Sequence, residues 1–532
     1  MKTLLSLFVI FLFTSQTIFA DSTYIRYQEP ELLSYEELVS LSKNPYPSTN
    51  LQTKIDKLFT TPIISNEAYY SGVKPRNLRK AKLGPFIRLV SWNIEKSIGL
   101  EQAIVAFTDE VKFQGLIDPY QYPPGSKQFR EIMDQRDWLE KADIIVLQEM
   151  DIGVKRSQYK NSVKELADAL GMNYVYGVEQ LEIDPVNLGL KEAFMYEDGS
   201  LNEELYKTFK VNSEQYKGLF GSAVLSRYPI KNVELFQLKY QAYDWYHEEK
   251  SRIPFLEKVK RSAAKNVFLE KLFREMKIGG RVFLRVDLHV PELPNETLTV
   301  INVHLEVKCT AKKREVQMKE ILNYIYDVKN PVVLAGDFNS VGGDMSPTSV
   351  KREIRRMGTD PTFLFSQAVA YLTPEGMALN IGRAFSNLTK NFQNPTSFHI
   401  PIIAPNRVKG LFKAIEQFKF YDGKRFDFRG DKKRSINQKA RKLSNSNERD
   451  SVGFKMTFEW DRTFFNAIGK YRLDWIFVKP VQLFDPKDVY GSYRFAPHYA
   501  ITLEEMNTRL SPKISDHSPI AVDLPLEEPR II

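Results

Sequence analysis

The stretch Pro331–Ser340, PVVLAGDFNS, limits what this chain can fold into more than any other. Val332, Val333 and Leu334 form a β-branched apolar run with no polar interruption, which predicts a buried strand. Gly336 then permits a sharp exit, so that Asp337 and Asn339 emerge together at the strand's end. An acid and an amide so placed can hold a water, a phosphate oxygen or a hard cation. An Asx-type turn explains the segment equally well on its own. The same design recurs along the chain. Phe86–Asn93 alternates as a half-buried strand and ends on Asn93, and Ala142–Glu149 is a continuous apolar run ending on Glu149. Leu298–Leu305 carries His304 near its end. Tyr471–Val478 holds Asp474 between Leu473 and Trp475, where a carboxylate is costly unless paired. Asp516 and His517 stand just before the run Pro519–Leu524. Each of these polar residues has a structural explanation when taken singly. Together they predict strand ends that converge on one cleft.

Gly221–Ser226 and Arg281–Val290 read as further strands, and Asn161–Leu170, closed by Gly171, and Ala311–Val328 read as helices. The strands do not alternate strictly with helices. That pattern predicts an α/β fold of two mixed sheets packed face to face with helices outside. Residues 85–527 form this one domain, with long insertions at about 181–280 and 345–455, where such signals are few. Residues 21–84 contain Pro45, Pro47, Pro62 and Pro75 and read as an extended strap, with one capping-box signal at Ser34–Glu37.

With 43% apolar and 27% charged residues, the 532-residue chain has the composition of a folded protein and not of a disordered one. Met1-Lys2, the apolar run Leu4–Phe13 and the small Ala20 predict a signal peptide over residues 1–20. The run is short for a membrane span and holds Ser6, with Thr14, Ser15 and Gln16 close behind. The expectation is a secreted or periplasmic protein with no transmembrane segment after cleavage. Cys309 is the sole cysteine, so no intrachain disulfide can form and the core alone must hold the fold. As a lone thiol just after a strand, it reads as a passive, partly buried residue.

The net charge of +9 favours polyanionic partners. Residues 406–442 hold thirteen basic residues against four acidic ones, an excess equal to that of the whole chain. Phe412, Phe418, Phe420, Tyr421, Phe426 and Phe428 interleave with them. The pattern suits phosphate contact with base stacking, and Lys432, Lys433 and Arg434 are the substrate-binding candidates. The competing reading is a solvated basic loop with its aromatics packed inward.

The strand-end residues suit metal-assisted hydrolysis of a phosphate ester. Asn93, Glu149 and Asp516 are oxygen ligands of the kind Mg²⁺ or Mn²⁺ takes, whereas zinc favours more His or Cys. A histidine beside a buried aspartate is oriented and polarised by it.

Seven ordered motifs carry a likeness to a known family: WNIEK (92–96), VLQE (146–149), AVLSRYPI (223–230), NVHL (302–305), AGDFNS (335–340), RLDWIFV (472–478) and SDHSPI (515–520). The chain resembles the endonuclease/exonuclease/phosphatase superfamily from about Pro85 to Leu524, outside the two insertions. That group includes deoxyribonuclease I, exonuclease III-type repair enzymes, sphingomyelinases and inositol polyphosphate 5-phosphatases. The resemblance implies a four-layer α/β sandwich and a divalent cation, foremost Mg²⁺. By the same resemblance, Asn93 and Glu149 match the metal-side pair and Asp516 completes the acidic cluster. Asp337 matches the residue that aligns or activates the attacking water, with Asn339 its partner at the phosphate. His517, paired with Asp474, matches the general base or transition-state stabiliser, and His304 the general acid or phosphate ligand.

Departures narrow the substrate. Exonuclease III-type enzymes usually carry Tyr where this chain has His304, and the inositol phosphatase signatures are replaced by Ala335-Gly-Asp and Arg472-Leu-Asp-Trp. Ser222 stands where many members have Asn. The resulting expectation is an exported Mg²⁺-dependent phosphodiesterase acting on nucleic acid. A sphingomyelinase-like enzyme taking a lipid head group, an inositol-phosphate-type phosphoesterase and a non-catalytic phosphate-binding module are the alternatives.

Overall fold

The computed structural model describes residues 24–527 except 45, 81–82, 197, 247–274, 341–408, 439–440, 450–452, 460–469 and 484–492. The expected signal peptide and residues 345–408 of the second expected insertion lie outside the described residues.

Strand periodicity decides the layers. In Val282–His289 the residues Val282, Leu284, Val286 and Leu288 point one way, into a seam with Ile87, Leu89, Val146, Val224, Val300, Val333, Ile476 and Val522. This seam separates two mixed sheets. The larger has ten strands, and its main path runs Tyr27–Gln28, Ile63–Ser65, Asn173–Glu182, Leu219–Ser226, Ile144–Ile152, Gly84–Asn93, Ile520–Pro525, His498–Thr502. The smaller has five, in the order Asp474–Lys479, Val332–Asp337, Thr297–His304, Val282–His289, Ile230–Gln237. One pair in each is parallel, Gly84–Asn93 with Ile144–Ile152 and Thr297–His304 with Val332–Asp337, while the other pairs are antiparallel.

Helices cover both outer faces. Trp92, Leu147 and Tyr176 of the larger sheet pack with Ala103, Leu139 and Leu166 from helices Leu100–Thr108, Lys127–Glu140 and Ser162–Leu170. The last of these begins on Asn161, whose side chain accepts from the Lys164 N–H, and ends on Gly171 at φ 59°, as its sequence predicts. Val303, Leu334 and Phe477 of the smaller sheet pack with Met318, Ile321, Leu411 and Ile415 from helices Ala311–Tyr324 and Lys409–Gln417. The result is the four-layer α/β sandwich.

Three expectations require correction. The segment before residue 85 is not an extended strap. The capping box at Ser34 starts helix Tyr35–Lys43, Ser48 caps helix Thr49–Thr60, and Ile63–Ser65 pairs with the larger sheet. Pro47, Pro62 and Pro75 fall between its helices and strands and not within them, where they would break them. Leu38, Leu41, Ile55, Leu58 and Phe59 are buried in the outer core.

Residues 181–280 are likewise no single insertion, because Leu219–Ser226 and Ile230–Gln237 are sheet strands. Ile230–Gln237 ends the smaller sheet, and its exposed Lys231 and Asn232 dilute the hydrophobic signal that a central strand would give.

Lastly, the phenylalanines of the basic region pack inward, and of its six aromatics Tyr421 alone is exposed. Phe412, Phe420 and Phe426 are buried in the outer core of the smaller sheet, in contact with Trp475 or Phe477 or with each other. Those rings are unavailable for base stacking. No helix among the described residues is long and apolar enough to cross a membrane. Cys309 is buried, its thiol donates to the Glu306 carbonyl at 3.2 Å, and burial raises its pKa.

Candidate active site

The register of the smaller sheet assembles half of the cleft. Asp337 pairs with His304 on one side and Asp474 on the other, so three strands deliver their functional residues side by side. Asp337 Oδ1 accepts from the Asn339 N–H at 2.7 Å, and Asn339 takes φ 46°, a left-handed turn that asparagine tolerates. Its side-chain amide donates to the Leu305 carbonyl at 2.9 Å, locking the exit of one strand to the exit of the next.

The larger sheet supplies the other half. Its register shifts between Leu147 and Met150, and within that bulge Glu149 adopts φ 59°. A bulge re-aims a side chain, and here it places the Glu149 carboxylate beside Asn93. Asn93 Nδ2 donates to Glu149 Oε1 at 3.3 Å and to Asp337 Oδ2 at 3.2 Å, while its Oδ1 accepts from the Glu95 N–H at 3.1 Å. Asn93 therefore bridges the sheets with its nitrogen, and its oxygen is taken by the backbone. Behind it, Asn302 donates to the Leu147 and Ala223 carbonyls, both at 2.8 Å, and accepts from Gln148 Nε2 at 2.8 Å. This buried polar group fastens one sheet to the other directly under the cleft.

His517 arrives on a loop held at several points. Trp92 Nε1 donates to the His517 carbonyl at 2.8 Å, and Ser515 Oγ donates to the Asn93 carbonyl at 2.7 Å. The ring's Nδ1 lies 2.8 Å from Asp474 Oδ2 and its Nε2 3.9 Å from Asp337 Oδ2. Burial disfavours the imidazolium, but Asp474, then Asp337 and Asp516, raise the His517 pKa well above the ordinary value. Asp337, Asp474 and His517 each offer one ligand atom within 4.8 Å of the others.

On the opposite flank, His304 Nδ1 lies 2.8 Å from an Arg281 nitrogen, and that same nitrogen donates to Glu179 Oε2 at 2.7 Å. A guanidinium can only donate, so Nδ1 is the acceptor and the ring proton sits on Nε2. His304 Nε2 faces the cleft, 3.8 Å from Asp337 Oδ2 and 3.9 Å from Glu149 Oε1. Ser222 donates its hydroxyl to the second oxygen of Glu179. Glu179 and Arg281 were not singled out from sequence. A glutamate inside the strand Asn173–Glu182 was the available signal, since a buried acid there requires a partner.

Burial opposes ionisation of Glu179, yet His304, Arg281 and Ser222 hold its pKa at about 2, against an ordinary 4.5. The folded-state pKa is the lower one, so the stabilisation is present above pH 4.5 and is lost as pH falls towards 2. Glu179→Gln is expected to flatten the acid limb of a Tm-against-pH curve. A limb parallel to that of wild type would show that the carboxylate is not held in this pairing.

A third corner is acidic. Glu95 Oε2 accepts from the Asp516 N–H at 2.9 Å, and Glu95, Lys96 and Ser97 all have positive φ, at 45°, 54° and 55°. Burial, with Glu95 and Glu149 adding to it against the pull of His517, pushes Asp516 up to about 7. Burial also raises Glu95, and Glu149 reinforces this. Glu149 itself is lowered, since His304, Lys96 and His517 outweigh its burial. Glu95 and Asp516 thus resist ionisation while Glu149 does not, and the three carboxylates offer oxygen ligands of the kind that a hard divalent cation would take. Glu95 stands beside the expected Glu149 and Asp516, brought there by the turn that follows Asn93.

Lys432, Lys433 and Arg434 lie elsewhere. They form a short turn capped by Asp431, in which Arg434 is buried and sits 3.5 Å from that acid. The Arg434 charge, after burial, helps depress His498 to about 3. His498 pairs with Asp523 and Asp523 with Arg88, five residues back along the strand from Asn93. The turn therefore stands towards the far end of the strands, and the structure does not bring these three residues to the cleft.

Several solved structures are similar to this chain. An endonuclease/exonuclease/phosphatase from Beutenbergia cavernae DSM 12333 is 14% identical over 83% of this chain and 72% of its own, with a TM-score of 0.35. The 3'-5' exonuclease NExo from Neisseria Meningitidis is 12% identical over 82% of this chain and 99% of its own, with a TM-score of 0.35. ANGEL2, a 2',3'-cyclic phosphatase, is 13% identical over 82% and 94%, with a TM-score of 0.33. No curated protein sequence matches the chain significantly. The profile of the Endonuclease/Exonuclease/phosphatase family matches residues 90–517, a span that holds every cleft residue from Asn93 to His517, and the protein belongs to that family.

Proposed function

We propose that the protein is an exported, Mg²⁺-dependent phosphodiesterase that cleaves nucleic acid by water attack on phosphorus. The observation that carries this reading is the placement of Asp337 between two differently held imidazoles. Its Oδ2 lies 3.8 Å from His304 Nε2 and 3.9 Å from His517 Nε2. In this reading Asp337 aligns the attacking water and takes up its proton. His304, with its proton directed into the cleft by Arg281, donates to a phosphoryl oxygen, and His517, charged through Asp474, neutralises the negative charge that builds there. Glu149, Asp516 and Glu95 are the residues that would hold the cation. When bound, such an ion supplies charge neutralisation at the phosphoryl oxygens. Export is supported by the signal-like residues 1–20.

The test is a substrate panel with purified protein. Degradation of plasmid DNA or RNA in Mg²⁺, abolished by chelator and by His517→Ala, is the expected result. Hydrolysis of sphingomyelin or a soluble inositol phosphate with none of nucleic acid moves the assignment to those substrates. Inertness towards every ester, with no metal bound, leaves a phosphate-binding module. Export is checked by the N-terminal sequence of the mature protein, expected to begin near Asp21.

A further inference from the structure

We infer that Lys96 and Lys308, on the His304 flank of the cleft, form a subsite for the backbone phosphates next to the scissile one in a nucleic-acid strand. The inference rests on the nuclease reading and adds where the strand lies. From the cleft outward, the Phe220 ring is centred 6.3 Å from that of His304. The Lys277 ammonium sits 4.7 Å from the Phe220 centroid and 5.3 Å from that of Trp245. Trp245 Nε1 donates at 3.0 Å to Glu306, two residues beyond His304, so the indole is tied to the same strand exit. Lys308 is exposed, and its ammonium lies 4.2 Å from the Trp245 centroid and 5.6 Å from that of Tyr243.

Lys96 lies on the inner side. Its Nζ is 3.1 Å from Glu275 Oε1, and Lys277 is 3.3 Å from the other oxygen. Burial of Glu275 is outweighed by Lys277, Lys96 and Lys308, which hold its carboxyl well below the usual range. The Lys96 charge also reaches Glu149, so the cluster abuts the acidic corner.

The chemistry of the ligand follows from which groups are already occupied. Lys277 is buried and also paired with Glu182 at 3.4 Å, so it serves as the internal strut. Lys96, with 30% of its side chain exposed, and Lys308 are the two cations that face outward, with Glu275 as the carboxylate between them. A quaternary ammonium head group requires an open aromatic face. Here the Trp245 ring already has the protein's own ammonium groups over it. An aromatic face also positions an ammonium without consuming its N–H donors in ordinary hydrogen bonds, leaving them for phosphate oxygens. Lys308 is positioned in this way and Lys96 by its 3.1 Å bond to Glu275, and two cations on one flank of the cleft suit successive phosphates of a strand and exceed what a single phosphate ester needs.

The experiment measures anisotropy of a short fluorescein-labelled oligothymidylate in EDTA, so that binding is read without hydrolysis. Wild type, Lys96→Gln/Lys308→Gln, Lys308→Glu and a control Lys164→Gln, on the outer helix Ser162–Leu170, are compared over a range of salt. Removing both lysines is expected to weaken binding roughly tenfold at low salt and to reduce the slope of log Kd against log salt by about 1 to 1.5, with the control unchanged. Lys308→Glu, at an exposed position, leaves both partners of the 3.1 Å Lys96–Glu275 pair in place and tests the outer cation alone. Equal slopes for wild type and variants, or no binding by wild type, overturn the subsite. Loss of binding to sphingomyelin vesicles in the variants, with oligonucleotide binding intact, replaces the strand by a head group. Oligonucleotide binding that depends on these lysines, without any cleavage by wild type in Mg²⁺, keeps the subsite and rejects the nuclease reading.

Discussion

His517→Gln is expected to lower kcat on phosphodiester substrates by about 10²–10⁴-fold, with a much smaller change in KM. The ring's Nδ1 is held 2.8 Å from Asp474 Oδ2, and its Nε2 lies 3.9 Å from Asp337 Oδ2. Its contribution therefore grows as charge develops in the transition state, which is why the loss falls on kcat. Asp474→Asn leaves a side chain of the same shape but removes the charge that raises His517, and should cost a substantial part of the same factor. The two residues act as one unit, so the double variant should be scarcely worse than His517→Gln alone. Stability is expected to behave differently. Asp474 is wholly buried and its Oδ1 has no hydrogen-bond partner, so removing the imidazole leaves an uncompensated carboxylate. His517→Gln should then melt lower than the double variant. Steady-state kinetics and thermal melting on all four proteins decide the matter. Strictly multiplicative kcat losses would mean that the pair does not function as a dyad.

Gly336→Ala is expected to prevent folding, or to cost more than about 4 kcal/mol. Gly336 has φ +140°, and a Cβ there would lie 2.0 Å from the Val303 carbonyl oxygen, which is backbone and cannot swing aside. The two residues are register partners in the parallel pair that sets His304 beside Asp337. Any shift that relieved the clash would also pull His304 and Asp337 apart, so a soluble variant should still be inactive. Gly72→Ala is the matched comparison, with φ +85° but no atom within 4 Å of the added carbon. It should show only the backbone cost of about 1 kcal/mol. Equal melting temperatures for the two variants would be incompatible with the close strand approach described above.

The cleft was legible where an apolar run ended on a polar residue, as at Asp337, His304 and Glu149, because periodicity and burial report on both at once. Legibility failed where a contact depends on conformation. Glu95 enters the acidic corner through three consecutive left-handed residues, and nothing in WNIEK announces such a turn. Arg281 meets His304 across sheet geometry, from the start of a neighbouring strand. The basic region shows the reverse error. A count of charges gives no orientation, and the phenylalanines among them complete the core under the smaller sheet while Arg434 is buried. The prolines near residue 50 suggested extended chain because composition records their number and not their position between helices.

The pairing of Ile63–Ser65 with Tyr174–Tyr176 joins segments more than a hundred residues apart. During synthesis the opening helices are made long before the strand on which they settle, so this border closes late and carries the entropy of a large loop. Until then the far side of Asn173–Glu182 has open backbone amides and carbonyls. A proteolytic cut that released the first forty or so described residues would uncover that side again, and cleaved molecules would then be prone to associate edge to edge.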